Sequence, residues 1–351
     1  MSTSYKNLVE RASRGSKSSK DELSKRKYKD TGLRGINNEK LVIRNSNELL
    51  DNCDYILREI KNIRVGETVS ESIMLDSFNS ATIEGARTTV DSVKETFHNP
   101  ISKDDKMVVN AIKAQCEAYN MGILNNNIRS IWEELTLGVL ENEGADGVKY
   151  RSEMVYIGSS IKIIHTPEKP EKIELRMNGL FDFCERTKDT IVKAGIVHFY
   201  FVYIHPFCDG NGRFARLWMN SILASISSNF KGLVISREIN NNLMEYYNSI
   251  TESEFSYNGI MDITTFVEYI TRCVVNAVDY MKYKRYNRLS DMEQTVYNKI
   301  RKNKSGISVK KLSSIMGLNK NKARVILNSL VDKRYLVVDK SGREYKYYIK
   351  Q

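Results

Sequence analysis

His205-Pro206-Phe207-Cys208-Asp209-Gly210-Asn211-Gly212-Arg213-Phe214-Ala215-Arg216 is the stretch from which the rest of this 351-residue chain can be read. The run before it, Ala194 to Ile204 (AGIVHFYFVYI), is apolar all round and predicts a buried helix. Pro206 cannot continue that helix, so it stops near the histidine. Asp209-Gly210-Asn211-Gly212 is turn chemistry, because glycine and Asn tolerate positive φ. A second helix is expected from about Arg213 through FARLWMNSILASI. A glycine-rich turn opening a helix turns unpaired N–H groups and the positive dipole end toward one point, which makes an anion cradle. Arg213 and Arg216, three apart, project from one side of the first turn.

Each part has a chemical use. His205, at the lip of the cradle, can take a proton from an attacking hydroxyl near neutral pH. Asp209 is a hard oxygen ligand placed where Mg²⁺ bridges phosphates. Two arginines and the N–H nest can hold a triphosphate and absorb charge as it develops. Singly, each residue also reads as an ordinary helix junction with surface arginines. Together they point to nucleotidyl or phosphoryl transfer. The order H-P-F-x-D-G-N-G-R-x-x-R is matched without a gap, and in it the chain resembles the Fic (filamentation induced by cAMP) family.

The resemblance implies a mainly α fold, with a helical Fic core, a β-hairpin flap and an adenylyltransferase site. ATP would bind with Mg²⁺ on Asp209. Asn211 and the Gly210–Gly212 backbone would hold the α-phosphate, and Arg213 the β-phosphate. His205 would deprotonate a Ser, Thr or Tyr hydroxyl of a target protein, or of the chain itself. Upstream, TVSESIMLDSFNSATIEG (68–85) reads as a helix capped by Gly85, with Ser80 and Glu84 sharing a face. Its form, S-x-x-x-E-G, resembles the family's inhibitory helix, whose glutamate pairs with the motif's last arginine, here Arg216. That carboxylate would take the γ-phosphate position within the same chain. A tyrosine bordering the adenosine falls best on Tyr247, with Tyr246 its neighbour.

Composition sets the frame. The hydrophobic fraction of 41% is ordinary for a globular protein, and four prolines favour helix. A net charge of +11 supports contact with nucleotides, nucleic acid or acidic partners. The five cysteines are scattered, the count is odd, and neither a secretory signal nor an apolar run of bilayer length is read, so a reducing, cytoplasmic home without membrane contact is expected. The four histidines are dispersed, which argues against structural zinc. Cys208 occupies the motif's variable position and reads as a small filler.

In order along the chain, residues 1–45 are expected to be a basic, loosely docked arm, with folded structure from near Asn45. Residues 46–105 form a helical region holding the inhibitory helix, and 106–285 the catalytic core. Within that core MVVNAIKAQCEAYNMGIL and IRSIWEELTLGVLENE predict helices, with Trp132 in the core. Met154-Val155-Tyr156-Ile157, a Gly-Ser turn and Ile161–Ile164 read as a hairpin. It corresponds to the family's flap, where strand pairing by Val155, Tyr156 and Ile157 would register an extended target segment. His165 reads as a surface residue and His198 as a hydrogen-bonded core histidine. Residues 286–351 give three short helices and a hairpin, resembling a winged-helix domain. It offers Lys and Arg from 320 to 346 to DNA or to a protein. Homodimerisation stays open. Two other readings stay open as well: removal of AMP by a water that Glu84 orients, and a DNA-binding regulator whose Fic domain senses nucleotide.

Overall fold

The computed structural model describes residues 27–63, 69–140, 149–158, 163–287, 289–301, 306–342 and 344–349, with isolated positions before residue 27. Two strands come first, β1 (Tyr28–Arg34) and β2 (Lys40–Arg44), paired antiparallel. β2 runs parallel to β6 (Ile260–Asp262), which pairs antiparallel with β5 (Ser256–Tyr257), giving the order β1-β2-β6-β5. The expected loose arm is therefore corrected for residues 27–45, while its earlier part lies largely outside the described residues. Leu33, Leu41, Val42 and Ile43 are buried, the Tyr203 hydroxyl accepts from the Ile36 N–H at 3.2 Å, and the Tyr200 hydroxyl donates to the Arg34 carbonyl at 2.9 Å. KLVIR is too short to carry a period, and its second partner strand, β6, lies far along the chain. A local pattern cannot show such a pairing.

Five helices follow: α1 (Asn47–Ile60), α2 (Val69–Ile83), α3 (Val90–Thr96), α4 (Lys103–Met121) and α5 (Ile128–Thr136). Ser46, Thr89 and Ser102 cap α1, α3 and α4, each hydroxyl accepting a first-turn N–H. The flap follows as β3 (Ile157–Gly158) and β4 (Ile163–His165), antiparallel with Ile157 opposite His165. Its strands are shorter than the sequence predicts. Val155 and Tyr156 precede the ladder, and residues 159–162 lie outside the described residues. Then come α6 (Pro170–Arg186), α7 (Ile191–Ile204) and α8 (Asn211–Ile226). A 3₁₀ turn (Ser228–Gly232) leads to α9 (Ile235–Asn241), α10 (Leu243–Ser253) and α11 (Thr264–Asn287).

The apolar run of α7 makes it the central helix, with only Val192 and Val202 less than buried. Phe201 stacks on Phe214 of α8 at 4.9 Å and meets the Trp218 ring edge-on. Burying an aromatic or large aliphatic side chain of this kind contributes about 1.5–3 kcal/mol each. Gly195 lets α11 approach α7, since a Cβ there would stand 3.1 Å from Val267 Cγ1. α8 is thereby fixed along its length, and its N-terminus is set beside the end of α7.

The chain divides into two units between residues 278 and 279, inside α11. The second unit contains α12 (Asp291–Arg301), β7 (Ile307–Ser308), α13 (Val309–Met316), α14 (Lys320–Asp332), β8 (Leu336–Asp339) and β9 (Lys346–Ile349). Its strands form an antiparallel sheet in the order β7-β9-β8. It has its own core, including Val296, Ile300, Leu312, Leu327, Leu330, Leu336 and Tyr347. Gly317 at φ +63° ends α13, and Asn319 caps α14 by accepting from the Lys322 N–H at 2.8 Å.

Candidate active site

α7 ends on His205, whose N–H still bonds to the Phe201 carbonyl but whose own backbone turns left-handed, φ 56° and ψ 62°. A non-glycine residue held there costs about 1–3 kcal/mol, and such residues cluster at functional turns. The imidazole Nδ1 lies 3.2 Å from the Val202 carbonyl oxygen. That oxygen can only accept, so Nδ1 carries the proton and Nε2 keeps a free lone pair. Burial pushes the ring down to about 4, with the neighbouring His165 and Arg151 adding to it. At neutral pH His205 is thus an uncharged base.

The turn after it is rigid. Asn211 accepts from the Phe207 N–H at 3.0 Å and donates to the Phe207 carbonyl at 2.8 Å. Residue 211 is 1% exposed, and its side chain spends one acceptor and one donor on this clamp. Trp132 stacks on Phe207 at 4.8 Å and donates from Nε1 to the Asp209 carbonyl at 2.9 Å. Gly210 caps α8 at φ 78°, where an added Cβ would press on Thr136 at 3.1 Å. α8 begins at Asn211, two residues before the expected start, and its first N–H groups have no partner within the helix.

Arg213 and Arg216 are 2% and 1% exposed, far from surface arginines. Arg213 donates to the Leu135 carbonyl at 3.4 Å and lies 3.8 Å from Asp209 Oδ2. Arg216 donates from Nε to Ser80 Oγ at 2.8 Å, and from Nη2 to the Ser80 carbonyl at 3.0 Å and Glu84 Oε1 at 2.7 Å. Burial opposes the Arg216 charge, but the Glu84 carboxylate together with Tyr246 and Tyr247 outweighs it, and the pKa ends above the ordinary arginine value. Arg213 Nε and Arg216 Nη1 are buried without a hydrogen-bond partner among the described residues. Unpaired buried guanidinium donors beside a helix N-terminus fit an anionic ligand.

Glu84 is placed with equal care. Gly85, at φ +92°, closes α2 by a Schellman motif, its N–H on the Thr82 carbonyl and the Ala86 N–H on the Ala81 carbonyl. The Glu84 carboxylate reaches Gly212 so closely that a Cβ at 212 would overlap Oε1. The described carboxylate on the cradle is therefore one from this chain. It belongs to a seam. Asp76 and Ser80 on α2 and Glu84 in the turn that caps it, four residues apart, face Asn220, Arg216 and Gly212, one turn apart on α8 in the opposite direction. Asp76 accepts from Asn220 Nδ2 at 2.8 Å, the Ser236 N–H at 2.7 Å and the Ser236 hydroxyl at 2.9 Å. Sequence reading missed Asp76, although its place four residues before Ser80 was a signal. Asp76→Ala removes the acceptor of three buried hydrogen bonds, with Asn220 Nδ2 keeping only Gln115 Oε1, and is expected to cost on the order of 2–4 kcal/mol. Urea unfolding followed by fluorescence reports it, because both tryptophans, Trp132 and Trp218, lie in the first unit. An unchanged midpoint would show that the seam does not hold α2.

Other residues fall as follows. Tyr246 is buried, its hydroxyl 2.9 Å from His198 Nε2, whereas Tyr247 is 48% exposed and close enough to Glu84 and Arg216 to feel their charge. Tyr247 is thus the one free to border a ligand. Tyr156 of the flap is 60% exposed, and Val155 and Ile157 are half-buried. His165 is not a surface residue: its side chain is 10% exposed, with Nε2 2.8 Å from the Tyr203 carbonyl and Nδ1 3.2 Å from Glu254. It pins β4 to the end of α7, a tertiary role that one histidine in a hairpin cannot announce. Asp209 is 57% exposed, and its Oδ1 accepts from the Gly210 N–H at 2.5 Å. Among the described residues no group of three or more His, Cys, Asp or Glu is arranged to hold a metal. A single open carboxylate suits Mg²⁺ that takes most of its ligands from phosphates and water, and not a protein-caged ion. No helix among the described residues is long and apolar enough to cross a membrane.

Residues 125–223 match the model of the Fic/DOC family. Over 252 residues the chain is 25% identical to a protein adenylyltransferase Fic of Nematostella vectensis, covering 66% of this chain and 55% of that protein. Over 128 residues it is 31% identical to protein adenylyltransferase fic-1 of Caenorhabditis elegans, covering 35% of this chain and 22% of that one. The chain spans about half the length, or less, of the curated relatives it matches. Among solved structures, a Fic family protein from Desulfovibrio desulfuricans G20 superposes with a TM-score of 0.61 at 20% identity, covering 87% of this chain and 97% of that one.

Proposed function

We propose that this chain, which carries a Fic domain over residues 125–223, transfers AMP from ATP to a hydroxyl of a protein and is held back by its own Glu84. The observation that carries the reading is the neutral His205, its Nε2 free, beside an anion cradle lined by two buried arginines. In this reading the triphosphate lies on the α8 N-terminus, with the N–H groups of 211–213 and Arg213 on its α- and β-phosphates. Tyr247 borders the adenosine. The flap residues Val155, Tyr156 and Ile157 hold the target segment, so that a Ser, Thr or Tyr hydroxyl meets His205. The hydroxyl oxygen attacks the α-phosphorus as Nε2 takes its proton. The bond from that phosphorus to the α,β-bridging oxygen breaks, and pyrophosphate leaves with the electron pair. Asp209 would hold Mg²⁺, which supplies charge neutralisation on the phosphates. Arg216, released by Glu84, would meet the γ-phosphate.

ATP labelled at the α-phosphate is expected to leave label on protein and release one pyrophosphate per label. Label arriving from the γ-phosphate instead would mean phosphoryl transfer and overturn the reading. Loss of AMP from a preloaded protein, with no gain from ATP, would favour the hydrolytic alternative.

A second reading concerns the second unit, whose helices and sheet fit a winged-helix domain. The exposed face of α14 presents Lys320, Asn321, Lys322, Arg324 and Asn328 around Val325, which is 67% exposed. Cations and amides flanking an exposed apolar residue suit a duplex groove. The full chain is expected to bind duplex DNA at low salt, with Arg324→Ala weakening it and added salt dissociating it. A fluorescence-anisotropy titration showing no binding in about 50 mM salt would leave this face to a protein partner.

A further inference from the structure

The left-handed turn that carries His205 has a second support, reached from the base of the flap. Arg151 is 8% exposed and spends all three guanidinium nitrogens on backbone carbonyls. Nε donates to the His205 carbonyl at 2.8 Å, Nη1 to the Glu153 carbonyl at 2.7 Å, and Nη2 to the Glu168 carbonyl. Its own N–H donates to the Pro206 carbonyl at 3.0 Å. Glu153 stands before β3 and Glu168 after β4, so one side chain joins both feet of the hairpin to the catalytic turn. The two carbonyls it takes at 205 and 206 are those which the left-handed residue and the proline turn out of the α7 ladder. The buried cation is balanced by the Glu168 carboxylate, itself 1% exposed and paired with Arg176 at 2.7 Å. A planar five-donor fork can meet this spread of acceptors; the point charge of lysine cannot.

We propose that Arg151 is a positioning residue for AMP transfer: it fixes the backbone that aims His205 and ties that aim to the seating of the flap. The inference rests on the reading of His205 as the general base. Displacing the turn moves the imidazole away from the attacking hydroxyl, and catalysis is sensitive to shifts of about 1 Å. Nucleotide binding draws on α8, Arg213 and Arg216, none of which Arg151 touches in these contacts.

The test is Arg151→Lys in the Glu84→Gly form. Turnover is expected to fall at least about tenfold while the Kd for ATP stays within about twofold, a split that general loosening of the fold would not give. The His205 imidazole, followed by NMR in the full chain, is expected to titrate at a higher pH, away from about 4 and toward the free-histidine value of about 6.5. Turnover within twofold of the parent together with an unmoved titration overturns the proposal, as does loss of ATP affinity in step with turnover. If the parent itself transfers no AMP, the reading above fails and the imidazole titration alone decides this one. If the lysine form does not fold, the Arg151 Nε–H signal of the unmutated chain decides. Slow exchange with solvent supports the clamp, and fast exchange overturns it.

Discussion

His205→Ala is expected to lower AMP transfer by about 10²–10⁴-fold, the range a positioned general base contributes, while ATP still binds. The separation follows from where the groups lie. The cradle consists of α8 N–H groups and two arginines held by Leu135, Ser80 and Glu84, and none of these contacts passes through the imidazole. The measurement is label transfer from α-tagged ATP in the Glu84→Gly form, beside calorimetric ATP binding. Undiminished labelling in His205→Ala would remove the base from the mechanism. The pH profile adds a second check. A ring whose folded pKa is pushed down stays in its basic form through the range where free histidine protonates. Transfer limited by this base should therefore hold as pH falls through 6.5 and decline only as it approaches about 4. A half-point near 6.5 would mean that the ring is solvated in the working enzyme.

The twelve residues from His205 to Arg216 were legible because their chemistry is local. A proline stops one helix, a glycine turn opens the next, and donors at fixed spacing follow. What escaped was made by distant parts of the chain. Strand β2 joins the neighbouring β1 to the distant β6, so KLVIR reads as tail until that sheet is complete. Asn211 reads in the sequence as a phosphate ligand, and its clamp on the Phe207 backbone is a tertiary role that spacing does not show. His165 and Arg151 act on backbone carbonyls at the end of α7, and no spacing rule marks a side chain that caps someone else's turn. Ser80 and Glu84 were readable as a shared face, yet Asp76 extends that face and anchors it to Ser236 on α9. The choice between Tyr246 and Tyr247 was open in the sequence, because adjacent helical residues differ only in direction. Burial against His198 separates them.

Glu84→Gly is expected to raise self-labelling by roughly ten- to a hundredfold. The estimate comes from the bond removed: a charge-assisted hydrogen bond contributes about 1.5–3 kcal/mol, and each 1.4 kcal/mol is a factor of ten. Glu84 is one-third exposed, which favours the lower part of that range. The carboxylate competes in two ways, by occupying the space over Gly212 and by satisfying Arg216, and both end when the side chain is removed. α2 should stay in place, because Asp76 and Ser80 keep their contacts with Asn220, Ser236 and Arg216. The helical circular dichroism should therefore not change. Arg216, meanwhile, stays a buried cation but loses the carboxylate it donates to, keeping the neutral Ser80 hydroxyl and carbonyl, so the ligand-free variant should melt below the wild type. Bound ATP supplies the missing charge, and its stabilisation, measured as the rise in Tm at saturating nucleotide, should be larger in the variant than in the wild type. Glu84→Gln separates space from charge: it keeps the bulk over Gly212 but gives Arg216 a neutral acceptor, and should label at an intermediate rate. If Glu84→Gly labels no faster than wild type and gains no more from ATP, the contact with Arg216 is a structural pair and the brake lies elsewhere.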